Sequence, residues 1–293
     1  MSWWVVVNPM AGAKGEIEQR TRAALTKRRI DHEIRVSRSA DDIPNIVAEG
    51  RSLGATRFVA VGGDGTTSMV LNGMLAEGWL TPPTLAVLPI GSGSDFIRTF
   101  ALPRHLEDAA DHLVTADVYR CDVGVLEGNF GRRYFLNVAD VGIAAASLRI
   151  ANVLPRFLGG LRYGISFWLK LAFFPSAIIR MEADGRSYEG PAINVVVANG
   201  QYFGGGMNVA PRATVMDGKL DIQIFVGPRR HAFSVMPRVI RGSHLTHRSV
   251  RRFEAETFEI ECIDGWPVEA DGELIGSGSV IGRVAAGAID FKI

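Results

Sequence analysis

This sequence has few cysteines, almost no net charge and no long apolar run, and each of these features excludes a class of protein. Its 293 residues include only two cysteines, Cys121 and Cys262, and no CxxC pair, so no disulfide framework is predicted. A formal net charge of +1 gives no electrostatic reason to expect nucleic-acid binding. No uninterrupted apolar run reaches the roughly 18 residues of a membrane span. The first residues, MSWWVVVNP, lack the basic start of a signal peptide, so we expect a cytoplasmic protein.

The sequence does contain enough apolar material for a large core. Apolar residues make up 47% of the chain and charged residues 22%, which is typical of globular proteins. In the first part, Val-rich runs such as Trp3–Val7 alternate with helical patterns, which predicts a parallel sheet covered on both faces. Beyond Tyr119, strand patterns dominate and predict a mostly antiparallel β-sandwich. The predicted fold class is α/β with two domains, 1–120 and 121–283, and a final strand at about 284–293 that returns to the first.

One stretch, Phe58–Met74, has the pattern of a phosphate-binding turn. A short apolar strand is followed by the glycine-rich turn Gly62–Thr66 and then by a helical pattern. Backbone N–H groups and a positive helix end would meet an anion there. Asp64 would repel that anion unless a divalent cation lay between them. The alternative is a tight strand-to-helix connection that binds nothing.

Further short motifs accompany this turn in a fixed order and cover most of the chain. They read Asn8-Pro9-x-Ala11-Gly12, Gly62-Gly63-Asp64-Gly65-Thr66, Pro89-x-Gly91-Ser92-x-Ser94-Asp95-Phe96-x-Arg98, Asp122-Val-Gly124, Phe135-Leu-Asn137-Val, Asn199-Gly-x-x-x-Gly204-Gly205-Gly206-Met-x-x-Ala210-Pro211, Asp217-Gly-x-Leu220-Asp221 and Asp271-Gly272-Glu273. Together they resemble the diacylglycerol kinase catalytic-domain family, which includes sphingosine kinases and soluble bacterial lipid kinases. The resemblance implies an ATP- and Mg²⁺-dependent lipid kinase whose first domain binds nucleotide and whose second binds lipid.

The resemblance also implies roles for individual residues. The implied nucleotide-binding residues are Asn8, Pro9, Met10, Ala11, Gly12, Ser37, Gly62, Gly63, Asp64, Gly65, Thr66, Thr67, Ser68 and Ser92. Asp64, Asp95 and Asp122 would surround the catalytic Mg²⁺. Glu273 would act as general base with support from Asp271. This role depends on the resemblance, because the sequence alone favours a hairpin turn at Asp271-Gly272-Glu273.

A second, structural Mg²⁺ is implied in the loop that holds Asp217. Its other ligands would be the carbonyl groups of Thr214 and Lys219, and the alternative is an ordinary Asp-Gly turn.

The chain departs from the family where Met69 replaces a usual glutamate and Ser94 a usual asparagine. These departures leave open a member that binds nucleotide or lipid without turnover. An enzyme like NAD kinase also stays open, because that family shares the Gly-Gly-Asp-Gly turn and the two-domain plan.

The stretch Leu154–Pro175 is rich in aromatic and aliphatic residues, with Arg156, Arg162 and Lys170 between them. It predicts either a core helix of the second domain or a helix on a bilayer surface. The second alternative would bring the enzyme to its lipid substrate at the inner face of the membrane. A homodimer stays open, and the basic stretch around His244 and His247 is expected to be solvated.

Overall fold

The computed structural model describes residues 2–11, 16–90, 94–151, 153–155, 161–262 and 265–293. The chain divides into two compact units. The first comprises Met1–Cys121 with Gly287–Ile293, and the second comprises Asp122–Ala286. None of the described helices is long and apolar enough to cross a membrane.

The first unit alternates strands with helices. Its elements are β1 Trp3–Val7, α1 Glu16–Lys27, β2 His32–Val36, α2 Ile43–Ser52, β3 Arg57–Gly62, α3 Asp64–Leu75, β4 Thr84–Pro89, α4 Asp95–Arg98 and α5 Leu106–Ala109, and β5 Val118–Gly128 begins here. The strand order is β2-β1-β3-β4, with every pair parallel. The last residues of the chain add a parallel strand beside β4, through Asp290 and Phe291. The predicted parallel sheet is thus confirmed.

Helices cover both faces of this sheet. On one face, apolar residues of α1 and α5, such as Leu25 and Leu106, pack against alternate strand residues such as Val5 and Val59. On the other face, the indole Nε1 of Trp4 donates to the carbonyl of Ile46 in α2 at 3.0 Å. Because β1, β3 and β4 are buried on both faces, they are continuous apolar runs rather than alternating ones.

The second unit is mainly antiparallel. It continues with β6 Gly131–Phe135, β7 Val138–Gly142, α6 Ile143–Ala151, α7 Leu161–Leu171, β8 Ala177–Ala183, β9 Arg186–Ala198, β10 Tyr202–Phe203, β11 Met207–Asn208, β12 Leu220–Val226, α8 Ala232–Ile240, β13 Val250–Ala255, β14 Thr257–Cys262, β15 Pro267–Ala270, β16 Glu273–Ser277 and β17 Val280–Lys292. Strands run in the order β16-β15-β7-β9-β8-β14-β17, while β12 pairs with β9 and β13 pairs with β12. These pairs within the second unit are antiparallel, as predicted.

Turns in the chain set the limits of several strands. Residues 134–138 belong to two strands, β6 and β7, because the chain turns at residues 136–137. The final strand, predicted at about 284–293, begins earlier, at Val280, as β17. The Leu154–Pro175 stretch contains a helix as predicted, α7, while Arg156 lies outside the described residues. Leu171 and Phe174 lie in the core, while Trp168 and Leu169 are exposed.

Candidate active site

In the first unit, the loops after β1 and β3 meet. The side-chain Nδ2 of Asn8 donates to Oγ1 of Thr66 at 2.9 Å, and Oδ1 of Asn8 accepts the backbone N–H of Met10 at 3.0 Å. Pro9, Met10 and Ala11 form a single 3₁₀ turn after β1. The carboxyl ends of neighbouring parallel strands thus place these predicted residues together. Gly12 lies outside the described residues, as does Ser92.

The glycine turn closes tightly on the helix that follows it. A Cβ on Gly62 would lie 2.4 Å from Oγ1 of Thr66, so only glycine fits there. Gly63 is the N-terminal flanking residue of α3, and its carbonyl accepts the N–H of Thr67 at 3.1 Å. Gly65 and Thr66 lie in the first turn of α3, where backbone N–H groups have no partner within the helix. The arrangement is a helix N-terminus next to side chains of the β1 loop.

Gly62→Ala is expected to lower the free energy of unfolding by about 1–3 kcal/mol, because the new methyl group overpacks against Thr66. Displacing Thr66 also breaks its hydrogen bond with Asn8. Urea unfolding of the purified protein measures the change. Gly78→Ala is the matched control, since a Cβ at Gly78 has nothing within 4 Å. Equal unfolding free energies for the two variants would contradict the predicted crowding.

Asp64 links the β3 turn to the loop after β4. Its two carboxylate oxygens accept the backbone N–H of Asp95 at 2.9 and 3.1 Å. The Asp95 carboxylate is buried and pairs with the guanidinium of Arg98 at 3.0 Å. The structure therefore brings together two of the acids expected at a magnesium ion, Asp64 and Asp95.

Three buried hydroxyl groups near this turn have no hydrogen-bond partner in the described part of the chain. They belong to Ser37, Ser68 and Ser94, each at most 5% exposed. Ser37 follows β2, Ser68 lies in α3 and Ser94 precedes α4. A buried hydroxyl without a partner is costly, so a polar ligand in contact with these groups would stabilise them.

In the second unit, Asp271 and Gly272 form the two-residue turn of the β15–β16 hairpin. Both have positive φ, +48° and +85°, as this kind of turn requires. Oxygens of the Asp271 carboxyl accept backbone N–H groups of Leu136 and Asn137 at 2.8 and 2.9 Å. Burial raises the pKa of Asp271 to about 6, although those N–H groups oppose the shift. Asp271 thus ties the turn to the segment between β6 and β7.

Glu273 follows this turn and is half-buried. Its carboxylate forms an ion pair with the guanidinium of Arg133 on β6. Sequence reasoning missed Arg133, because 140 residues separate the two and no motif includes it. This ion pair holds the Glu273 carboxylate in position, and strand β6 supplies the arginine.

Asp122 and Asp217 belong to a separate loop contact. The backbone N–H of Gly218 donates to Asp122 at 2.7 Å, and that of Lys219 donates to Asp217 at 3.0 Å. Burial, with the nearby charge of Asp122, raises the pKa of Asp217. Thr214 is exposed in the same loop. Among the residues that the structure describes, no three acidic, His or Cys side chains are grouped closely enough to hold a metal ion on their own.

The second unit also encloses an apolar cavity of about 700 Å³, including the part open to solvent. Its walls are mostly aliphatic and aromatic, and its few polar members are Asp140, Asn194, His231 and Ser249. Nearby, His244 is fully buried and shares a hydrogen bond with Gln223, so the expectation that it is solvated is wrong.

Comparisons with known proteins support one family. The family model described as Diacylglycerol kinase catalytic domain matches residues 2–126, and the YegS C-terminal NAD kinase beta sandwich-like domain matches residues 137–292. A protein from Chromohalobacter salexigens named "Probable lipid kinase YegS-like" is 30% identical over 281 residues, 92% of this chain and 86% of its own. A diacylglycerol kinase from Bacillus subtilis is 27% identical over 222 residues, 75% of this chain and 71% of its own. The crystal structure of a diacylglycerol kinase from Bacillus anthracis superposes with a TM-score of 0.72 at 22% identity, covering 99% of this chain and 96% of that one, which shows a shared fold.

Proposed function

We propose that this chain, which belongs to the diacylglycerol kinase and YegS-like lipid kinase family, transfers the γ-phosphate of ATP to the hydroxyl of diacylglycerol or a related lipid. The observation that carries this proposal is the group of strand-end loops in the first unit. There a glycine turn, a helix N-terminus, buried hydroxyl groups and two carboxylates lie together. Such a set suits a magnesium-bound triphosphate.

The residues present fit ATP and Mg²⁺ chemically. The unpartnered hydroxyls of Ser37, Ser68 and Ser94 are the groups that a polar ligand would satisfy. The turn at Gly62–Thr66, with the Asn8 loop, would hold the phosphates, and Asp64 and Asp95 would hold the metal. Protein carboxylates commonly supply only one or two of the ligands of Mg²⁺, with phosphates and water supplying the rest, so a three-acid cluster is not required. Bound Mg²⁺ neutralises charge on the transferred group.

Glu273 is proposed as the general base. Its carboxylate takes the proton from the lipid hydroxyl at Oε1 or Oε2, and the Arg133 ion pair orients it for that role. Asp271 anchors the turn through the backbone of Leu136 and Asn137, so it acts by position. The loop at Thr214, Asp217 and Lys219 is proposed as a structural Mg²⁺ site, supported by the contact of the Asp122 carboxylate with Gly218, the residue next to Asp217.

The lipid acceptor is proposed to occupy the apolar cavity of the second unit. Walls such as Phe167, Phe225 and Val235 offer aliphatic and aromatic contact to acyl chains and almost no hydrogen-bonding groups. An apolar acceptor is thus favoured over a dinucleotide, whose phosphates and riboses need many polar partners.

Purified protein incubated with ATP, Mg²⁺ and diacylglycerol vesicles tests the proposal, with phosphatidate as the expected product. A panel of other glycerolipids, sphingoid bases and NAD should be run in parallel. Phosphorylated NAD with no lipid product would identify an NAD kinase. Binding of ATP without turnover of any substrate would identify a non-catalytic member.

Membrane contact is proposed through an exposed aromatic surface formed by Trp168, Leu169, Phe173 and Phe233. The rings of Trp168 and Phe233 stack with centroids 4.8 Å apart, although both side chains are exposed. Cationic residues border this surface. Arg229 donates to the carbonyl of Ala172, next to Phe173, at 2.9 Å. Arg230 and Lys170 are the sequence neighbours of Arg229 and Leu169. Apolar rings bordered by cations are complementary to an anionic bilayer.

Trp168→Ser combined with Phe233→Ser is expected to lower binding to anionic vesicles about tenfold or more. Complete burial of one large apolar side chain contributes about 1.5–3 kcal/mol, and only part of this is lost at each position because Trp168 and Phe233 are 38% and 68% exposed. Sedimentation with phosphatidylglycerol-containing vesicles measures the change. Leu80→Ser, which removes a fully exposed side chain elsewhere, is the control. Vesicle binding unchanged in the double variant would show that this surface does not face the membrane.

A further inference from the structure

A pair of buried carboxyl groups lies next to the turn that carries Glu273. Asp140 on β7 and Glu269 on β15 are directly opposite each other across an antiparallel strand pair. They are 1% and 0% exposed. Side chains at opposite positions project to the same face, so the two carboxyl groups meet there.

Hydrogen bonds account for one oxygen of each group. Oδ1 of Asp140 accepts the amide Nδ2 of Asn194 at 2.6 Å, and Oε2 of Glu269 accepts the backbone N–H of Gly272 at 2.8 Å. Oε1 of Glu269 has no other donor within the described chain. One proton held between Asp140 and Glu269 would satisfy this remaining oxygen and remove the repulsion of two buried charges.

The local electrostatics are consistent with such a proton. Burial, together with the charge of Asp140, raises the pKa of Glu269 well above its ordinary value. Burial also raises the pKa of Asp140. The other charged groups on elements packed against β15 are Arg132 and Arg133 on β6, Glu273 on β16, Arg149 on α6 and Asp271 on the turn.

The pair touches both proposed parts of the acceptor site. Asp140 forms part of the wall of the apolar cavity. Glu269 holds Gly272, the residue immediately before Glu273, in a turn with two successive positive φ values. Moving Gly272 would move the Glu273 carboxylate, and small errors in the position of a reacting group are expensive.

We infer that Glu269 and Asp140, sharing one proton, are positioning residues that hold the Asp271–Glu273 turn in its catalytic geometry. The inference rests on the proposed function, in which Glu273 is the general base. Neither residue needs to touch the substrate. Together they form a neutral, hydrogen-bonded pair that holds Gly272 in a turn with two positive φ values.

Amide substitutions test the shared proton. In Glu269→Gln, the amide oxygen still accepts from Gly272 and the NH₂ group donates to Asp140, as the protonated acid does. Asp140→Asn keeps the bond from Asn194 and donates to Glu269. Each single variant is therefore expected to fold like the wild type. The double variant places two NH₂ groups against each other, so its thermal unfolding midpoint should fall well below either single value.

The pH dependence of unfolding gives a second readout. Because Glu269 binds its proton more tightly when folded, wild-type stability should fall as the pH rises through the folded pKa. Glu269→Gln should flatten that fall. If the double variant is as stable as the singles, or if the pH dependence survives in Glu269→Gln, no proton is shared and the inference is overturned.

Steady-state kinetics then separate positioning from mere stability. Glu269→Leu, which cannot accept from Gly272, is expected to lower kcat about 10²-fold with KM for ATP unchanged, and Glu269→Gln should restore kcat. A normal kcat in Glu269→Leu would overturn the positioning role. Absence of kinase activity in the wild type would instead contradict the proposed function, whereas the unfolding experiments would still decide whether the proton is shared.

Discussion

Asp64→Asn is expected to lower the rate of ATP-dependent lipid phosphorylation by at least about 10²-fold, with an unfolding midpoint close to that of the wild type. The amide oxygen can still accept the backbone N–H of Asp95, which both carboxylate oxygens accept in the native chain. What the substitution removes is the negative charge proposed to hold Mg²⁺ against the triphosphate. Initial rates at several Mg²⁺ concentrations measure the loss, and the Mg²⁺ concentration for half-maximal rate should rise.

Asp64→Ala separates charge from structure. It removes the acceptor for Asp95 as well as the charge, so it is expected to lose stability in addition to activity. Asp41→Asn is the matched control, since Asp41 is an exposed acid of the same unit. Wild-type rates in Asp64→Asn would exclude a metal role for this residue and would favour a purely structural turn.

Glu273→Gln should lower kcat by about 10²–10⁴-fold, the contribution of a positioned general base, with little change in KM for ATP. Glutamine keeps the size and an oxygen for Arg133, but it cannot take a proton from the acceptor hydroxyl. Single-turnover phosphorylation of diacylglycerol in mixed micelles isolates the chemical step. ATP binding, measured by calorimetry, should be unchanged.

The control for this variant is Glu189→Gln, an acid in an exposed surface pair with Arg180. It should retain wild-type kcat, because exposed pairs contribute little. A kcat for Glu273→Gln within about threefold of wild type would remove Glu273 from the base role. The base would then have to be sought among the other acids.

Local patterns predicted the first unit well. The continuous apolar runs of β1, β3 and β4 mark strands buried on both faces, and glycine followed by a helical pattern marks a strand-to-helix turn. The contact between Asp64 and Asp95 follows from one general rule, because neighbouring parallel strands end at the same edge. The helix α3 begins at Asp64, inside the stretch predicted as a turn, so its N-terminus lies directly at the turn.

The second unit was less predictable, because antiparallel register joins residues that are far apart in the chain. Arg133 and Glu273 are 140 residues apart. A single acid such as Asp140 or Glu269 in an apolar strand looks like an isolated polar position. His244 looked solvated beside Arg241, yet the fold buries it against Gln223. No local pattern in the sequence predicts these pairings.

By itself, the sequence determined the family, the parallel sheet and the glycine turn with Asp64, because each depends on residues that are near one another or on motifs in order. Tertiary structure decided which partners each acid has. It tied Asp271 to the Leu136–Asn137 backbone, paired Glu273 with Arg133 and set Asp140 against Glu269. The physical reason is that strand register and burial, rather than local pattern, determine whether a carboxyl group is charged, shared or anchored.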